Sequence, residues 1–331
     1  MTDPAPAVSL VSVVIPTYHR PVQLARAVES ALAQELPPGI ALEVVIAVSD
    51  PDATADVVAA SALAADTPVR VLTAPAPGPA AARNAGIAAA RGEVLALLDD
   101  DCRAAPGWLA AALEALSDAD LVQGRTAPDG EVPWGHRALW VNPPSWLWEA
   151  CNLVVRRDLV DRLGGFDEAW NPTGRVGGHM GEDVTWGWRL VRGGARAAFA
   201  PGALVLHAVE PRTRRQQLDA AAGLRHFPLV LRAAPEARRA FPLRYIVSAE
   251  HAATLAALVL IAAGVASRRR PPLAAALLAG ALPAFLWPQR ARVLAGGPMG
   301  AVTEVRERAP EDLVGIAAAL AGSVRWRRLL L

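Results

Sequence analysis

The stretch Val94-Leu95-Ala96-Leu97-Leu98-Asp99-Asp100-Asp101-Cys102 decides how the rest of the chain is read. Five apolar residues without alternation have the pattern of a strand buried on both faces of a parallel sheet. Three carboxylates follow at once. A strand interior does not hold three adjacent charges, so they belong at its carboxyl end, where open α/β sheets bind ligands. Adjacent aspartates repel one another, and a divalent cation is the usual remedy. The stretch therefore predicts a metal–phosphate site; the alternative is an acidic surface loop.

Upstream, apolar runs at Val8–Ile15, Ala41–Val48 and Val69–Leu72 read as strands. Pro16 is expected to end the first, and Thr17–Pro21 to form a polar turn into a helix. Apolar residues at 24, 25, 28, 31 and 32 form a helical stripe in Val22–Ala33. Ala55–Ala65 and Ala80–Ala90 read as further helices, the latter carrying Arg83 and Asn84. The alternation of strand and helix, with short connections, predicts a doubly wound, mostly parallel sheet. No G-x-G-x-x-G follows the first strand, and the chain has no lysine for a G-x-x-x-x-G-K-[ST] loop, which disfavours both common dinucleotide and phosphate-loop motifs.

Downstream, Leu109–Leu116 reads as a helix, Leu121–Arg125 and Asn152–Val155 as strands, and Asp158–Leu163 as a short helix. Residues 126–150 are too rich in Pro, Gly and Trp for regular core structure. Glu182–Arg192 is expected to be a helix. Ala197–Ala200 and Ala203–His207 close the domain, which is expected to occupy residues 1–215.

The rest, 216–331, has a different character. Residues 1–210 carry 15 Arg against 25 Asp and Glu; residues 211–331 carry 18 Arg against 7. The acidic front suits metal binding, and the basic, apolar back suits an anionic membrane surface. Nucleic acid is not expected as a partner, because the basic half holds no recognisable reading motif. Ile246–Ala266 and Leu273–Trp287 form an apolar hairpin, 246–287, whose first arm is just long enough to span a bilayer. Arg268–Arg270 at its turn favour a re-entrant or interfacial placement over a full crossing. Pro310–Leu331 is expected to be a separate basic amphipathic helix, with Leu313, Ile316, Ala317, Leu320 and Val324 on one face. Two cysteines, Cys102 and Cys151, are expected to make neither a disulfide framework nor a cysteine-based metal site, and Met1–Ser9 lacks the pattern of a signal peptide.

Several motifs together resemble one family. Val11–Tyr18, Ser49-Asp50-Pro51-Asp52, Gly78–Ile87 with its Arg83-Asn84, Asp99–Asp101, Gly164-Gly165-Phe166-Asp167-Glu168, Gly181–Leu190 and the late His207 look like the ordered motifs of family 2 glycosyltransferases with a GT-A fold. The resemblance covers about residues 8–210. It implies an inverting, metal-dependent transferase using a nucleotide-sugar donor, favouring UDP. Pro16, Thr17, Tyr18, Arg20, Asp50, Arg83, Asp99 and Asp100 are then expected at the nucleotide. Asp99, Asp101 and His207 are expected at Mn²⁺ or Mg²⁺. Asp183, beside Glu182, is the expected catalytic base. Trp148 and Trp186 are candidates for a sugar-stacking wall. The base-reading loop departs from the usual pattern, two adjacent acids before Gly-Ser, so the register of Asp50 against Asp52 is open. The membrane-seeking back half implies a lipid-linked or polysaccharide acceptor, and the cytoplasmic face of an inner membrane as the location. A nucleotidyltransferase and a non-catalytic membrane scaffold are the alternatives.

Overall fold

The computed structural model describes residues 8–49, 68–133, 135–142, 146–170 and 180–331. The Asp50–Asp52 loop and the helix expected at 55–65 lie outside these residues. The chain forms two compact units, Met1–Pro211 and Arg212–Leu331.

The first unit is built on one eight-stranded sheet. Strands β1 (Leu10–Thr17), β2 (Ala41–Val48), β3 (Val69–Thr73) and β4 (Val94–Leu98) lie parallel in the order β3-β2-β1-β4. Helices α1 (Pro21–Leu32) and α2 (Pro79–Ala89) follow β1 and β3 in the chain. The sheet continues through β8 (Asn152–Arg156), β6 (Leu121–Pro128), β9 (Ala197–His207) and β5 (Cys102–Ala104). Strand β8 is antiparallel to both its neighbours, and β6 is parallel to β9. Helices α3 (Trp108–Ala115), α4 (Arg157–Leu163) and α5 (Glu182–Arg192), with the short strands β7 (His136–Arg137) and β10 (Glu210–Pro211), complete the unit. The unalternated apolar runs have the fate expected of them: β4 is buried along its whole length, as is β1 from Val11 to Thr17.

Strand register carries the fold to the site. Val14 of β1 pairs with Leu97 of β4. Three residues further along each strand stand Thr17 and Asp100, and the Thr17 hydroxyl donates to Asp100 Oδ2 at 2.8 Å. Pro16 does not end β1. It lies beyond the last β1–β4 pair, so its missing N–H removes no bond on that side. Strand β5, only three residues long, was not legible as a strand. The two expected final strands are one, β9, whose pairing with β6 shifts register between Gly124 and Arg125. Asn152 holds that irregularity: its amide donates to the Arg125 and Ala203 carbonyls and accepts from the Trp108 indole.

Glu43 in β2 is 1% exposed. Its carboxylate accepts from Ser12 Oγ (2.6 Å), Arg91 N (2.6 Å) and Arg91 Nε (3.0 Å). Burial alone would raise its pKa, but these bonds outweigh it and hold the pKa below the ordinary value. A lowered carboxylate pKa contributes stability that is present above the unfolded pKa and is lost as pH falls through the folded one. Glu43→Gln is expected to cost about 1–3 kcal/mol at pH 7. Chemical denaturation should show that cost shrinking as pH falls toward the carboxylate's lowered pKa.

The second unit is helical. It comprises α6 (Arg214–Gly223), α7 (Phe227–Ala233), α8 (Ala249–Ala266), α9 (Pro271–Leu286) and α10 (Arg290–Trp326), joined by short 3₁₀ turns. Helices α8 and α9 form the apolar hairpin. The separate helix expected from Pro310 is not there: Pro310 lies inside the 37-residue α10. A ladder of side chains at every fourth position spans the proline. Arg308 pairs with Glu304 (3.1 Å) and Asp312 (3.1 Å), and Thr254 of α8 donates to Asp312 at 2.6 Å. These charges are buried, while Pro310 is exposed. The expected apolar face is also turned. Ile316 is buried, but Leu313, Ala317, Leu320 and Val324 are exposed, and Asp312, Gly315, Ala319, Gly322 and Ser323 face inward. Close approach explains the choice: a Cβ on Gly315 would meet His251 Nε2 at 2.7 Å, and one on Gly322 the Arg225 carbonyl at 2.1 Å.

Candidate active site

The three aspartates lie where β4 ends. Asp99 Oδ1 meets Arg83 Nη2 at 2.8 Å. Asp100 accepts from Thr17 Oγ1 (2.8 Å), Tyr18 N (3.3 Å) and Arg20 Nη1 (3.2 Å). Asp101 pairs with Arg20 Nη1 at 2.5 Å through Oδ2, and its Oδ1 faces His207 Nε2 at 3.7 Å. Arg20 also reaches Glu210, at 3.8 Å. Two guanidinium groups thus bracket the triplet. Burial pushes the Asp100 carboxyl up to about 6; Thr17 and Arg20 pull it down, and Asp101 and Asp99 push it up.

These side chains line a cleft of about 530 Å³, within the range of small-molecule sites. Pro16, Thr17, Tyr18 and Arg20 form one wall, Gly78, Pro79 and Arg83 another, and Asp99–Asp101 the floor. Tyr18 is 58% exposed and leaves its ring available for stacking. Gly78 caps α2 with φ +118°, a backbone conformation that side chains other than glycine's rarely adopt, and Pro79 follows at the first helical position.

Strand pairing brings a second group of ligands to Asp101. Cys102 of β5 lies directly opposite His207 of β9, and the Ala208 N–H donates to the Asp101 carbonyl at 2.8 Å. One ligand atom from each of Asp101, Cys102 and His207 falls within 4.8 Å of the others. His207 is buried, and its Nδ1 sits 2.8 Å from the Ala208 carbonyl, which calls for a proton on Nδ1 and turns Nε2 toward Asp101. Carboxylate and imidazole form a donor set that fits a divalent metal. Two cysteines alone argue against a cysteine-based metal site, yet Cys102 stands beside this carboxylate–imidazole pair.

The remaining acids sit on α5, entered through Gly181 in the left-handed region. Glu182 is buried and pairs with Arg83 Nη1 at 3.0 Å, so one guanidinium separates it from Asp99. Asp183 is half-buried beside it. Burial first, then Glu182 and Glu149, push the Asp183 carboxyl well above the ordinary aspartate value, against the pull of Arg83 and of a bond from the Val184 N–H. Asp50, expected at the nucleotide base, lies outside the described residues.

Trp148 and Trp186, expected at a sugar-stacking wall, are both buried. Trp186 is 1% exposed, stacks on Phe166 at 4.2 Å and donates to the Gly164 carbonyl. Trp148 is 5% exposed and packs edge-on against Trp188 at 5.7 Å. Both rings are consumed by the core, with no open face for a sugar. Asn84 has a similar structural task. It accepts from Phe166 N (2.7 Å) and donates to Phe166 O (2.9 Å) and to Glu168 (2.7 Å).

Residues 12–166 match the family model for glycosyl transferase family 2. A pre-mycofactocin glycosyltransferase of Mycobacterium tuberculosis is 34% identical over 148 residues, 39% of this chain and 30% of its own length. The glycosyltransferase AglE of Haloferax volcanii is 27% identical over 215 residues, 61% of this chain and 67% of its own. In fold, the chain resembles a mannosyltransferase from Pyrobaculum calidifontis solved with GDP-Man and Mn²⁺. The TM-score is 0.58 and the identity 22%, covering 98% of this chain and 89% of that one. Residues 12–166, just under half of the chain, thus resemble glycosyl transferase family 2, and the sheet has the fold of the mannosyltransferase. The chain spans under a third of the mycobacterial relative's length.

Gly165 shows how tightly this region is packed: a Cβ there would lie 2.3 Å from Asn84 Oδ1. Gly165→Ala is expected to break the Asn84–Phe166 bonds and cost about 1–3 kcal/mol, read as a lower denaturation midpoint.

Proposed function

We propose that the chain transfers a sugar, with inversion, from a nucleoside diphosphate sugar to an acceptor at a membrane. The observation that carries this is the cleft itself. One end offers an exposed aromatic ring and an arginine, its floor offers three carboxylates beside a histidine, and a carboxylate pair on α5 lies one guanidinium away.

Each part has a task in such a transfer. Tyr18 stacks on the base, and Asp99 and Asp100 face the ribose side. Asp101 and His207 would hold Mn²⁺ or Mg²⁺, with Asp99 in reach of the same cleft floor. A divalent cation so held supplies Lewis-acid stabilisation of the leaving diphosphate. Arg20, now on Asp100 and Asp101, carries a further positive charge to the same end. Asp183 accepts the proton of the acceptor hydroxyl as that oxygen attacks the anomeric carbon from the face opposite the diphosphate. UDP-sugars are the first donors to test. The uridine reading rests on Asp50, and the cleft walls alone suit any nucleoside diphosphate.

The acceptor reading comes from the second unit. Ala249–Ala266 and Pro271–Gln289 are long and apolar enough to cross a membrane, and only 22% and 11% of them is buried. Val259, Ile261, Val265, Leu278 and Leu282 are exposed, whereas Glu304, Arg308 and Asp312 are buried. Apolar outside and charged inside is the arrangement lipid favours. Our reading of the acceptor is a lipid-linked or cell-envelope glycan met at the cytoplasmic face of an inner membrane; the apolar hairpin supports the membrane part of it. Flotation of the full chain with anionic vesicles tests it. The chain should rise with the vesicles, and a Val259→Asp/Leu282→Asp double variant should stay at the bottom.

Asp183→Asn is expected to abolish transfer and leave nucleotide affinity within a few-fold; a fully active variant would remove Asp183 as the base. The base must be deprotonated to act. Its raised pKa therefore places the acid limb of kcat/KM above the ordinary aspartate range of about 3.9. Glu182→Gln removes a neighbouring negative charge and should move that limb to lower pH in a pH–rate profile.

A further inference from the structure

Arg83 is expected, from the family resemblance, to donate to the nucleotide. Its contacts point elsewhere. The side chain is buried, and its two terminal nitrogens are already engaged: Nη2 with Asp99 at 2.8 Å and Nη1 with Glu182 at 3.0 Å. Its guanidinium carbon stands 5.5 Å from the centre of the Phe166 ring. Burial would lower its pKa, but the charges of Asp99, Glu182 and Asp183 outweigh that and keep it protonated.

The neighbouring residue strengthens the case. Asn84 binds both the N–H and the carbonyl of Phe166, whose ring stacks on Trp186 of α5. Two adjacent residues of α2 therefore grip α5 at two points. Asn84 holds the turn that packs under Trp186, and Arg83 holds Glu182, the first residue of the helix. Only a planar fork can bridge two carboxylates in this way; a lysine ammonium is a single point charge.

We propose that Arg83 is a positioning residue, clamping Asp99 and Glu182 so that α5 presents Asp183 to the acceptor, and that it contributes little to nucleotide affinity. This rests on the reading of Asp183 as the base. Without the clamp, Glu182 is a buried carboxylate with no cation beside it among the described residues, and the helix start must move. The donor end of the cleft keeps Tyr18, Arg20 and the aspartates.

The test uses the purified full chain and separates binding from turnover. Affinity for UDP and GDP is measured by calorimetry with Mn²⁺ present. Turnover is measured as nucleotide release from the UDP- or GDP-sugar that the wild type consumes. Arg83→Ala is expected to keep nucleotide affinity within about threefold and to lose turnover by about 100-fold, the scale of a misplaced catalytic group. Arg83→Lys should keep affinity and lose turnover by at least about tenfold, because one ammonium cannot hold both acids. Millimolar guanidinium should restore part of the Arg83→Ala activity. A tenfold or greater loss of nucleotide affinity, or turnover that stays near wild type, overturns the proposal. Should Arg83→Ala fail to fold, Arg83→Lys decides by the same comparison of affinity with turnover. Full activity in Asp183→Asn would instead remove the base reading, while the affinity comparison would still report whether Arg83 touches the nucleotide.

Discussion

Three adjacent carboxylates at one strand end must be kept apart and neutralised, and the first unit is arranged around that constraint. Like charges about 4 Å apart repel by about 4 kcal/mol at an effective dielectric of about 20. An exposed ion pair contributes at most about 1 kcal/mol and would not offset this. The structure uses partly and fully buried partners instead. Arg20 takes Asp100 and Asp101, Arg83 takes Asp99, and the Thr17 hydroxyl and the Tyr18 N–H hold Asp100. The triplet is thus divided between two cations. The Val14–Leu97 register delivers Thr17 to Asp100, and the Cys102–His207 pairing delivers an imidazole to Asp101. Backbone pairing thus positions the residues of the charged floor.

In the second unit the ladder Glu304–Arg308–Asp312 is buried, while Val259, Val265, Leu278 and Leu282 on α8 and α9 are exposed. In water, a buried charge ladder is hard to justify energetically against an apolar core. The ladder lies within α10 and is tied to α8 by the Thr254 hydroxyl, which donates to Asp312. It also spans Pro310.

Much of this was legible in the sequence where the pattern is strong. The unalternated runs at 41–48 and 94–98 and the amphipathic, Gly-flanked segment at 182–192 have the bounds read from them. What failed did so for physical reasons. Pro16 looked like a terminator, but register shows that its missing N–H has nothing to lose on the β4 side. Pro310 has the look of a helix start, but it lies inside the 37-residue α10, spanned by the i,i+4 pair Arg308–Asp312. The apolar spacing of Leu313, Ala317, Leu320 and Val324 was real, yet glycines at 315 and 322 select the opposite face for close packing. Within the site, residue types and order pointed to the cleft, but not to partners. Nothing local in the sequence says that Arg83 meets Glu182, 99 residues away, or that Trp148 and Trp186 are spent in the core.

The central claim is that Asp99–Asp101 and His207 form a metal-supported nucleotide site. Calorimetric titration of UDP and GDP into the full chain, with Mn²⁺ and then with EDTA, tests it most directly. The account predicts binding of at least one diphosphate with Mn²⁺ and a loss of affinity of at least about tenfold in EDTA, about 1.4 kcal/mol. Equal affinity in both, or no binding in either, would contradict it.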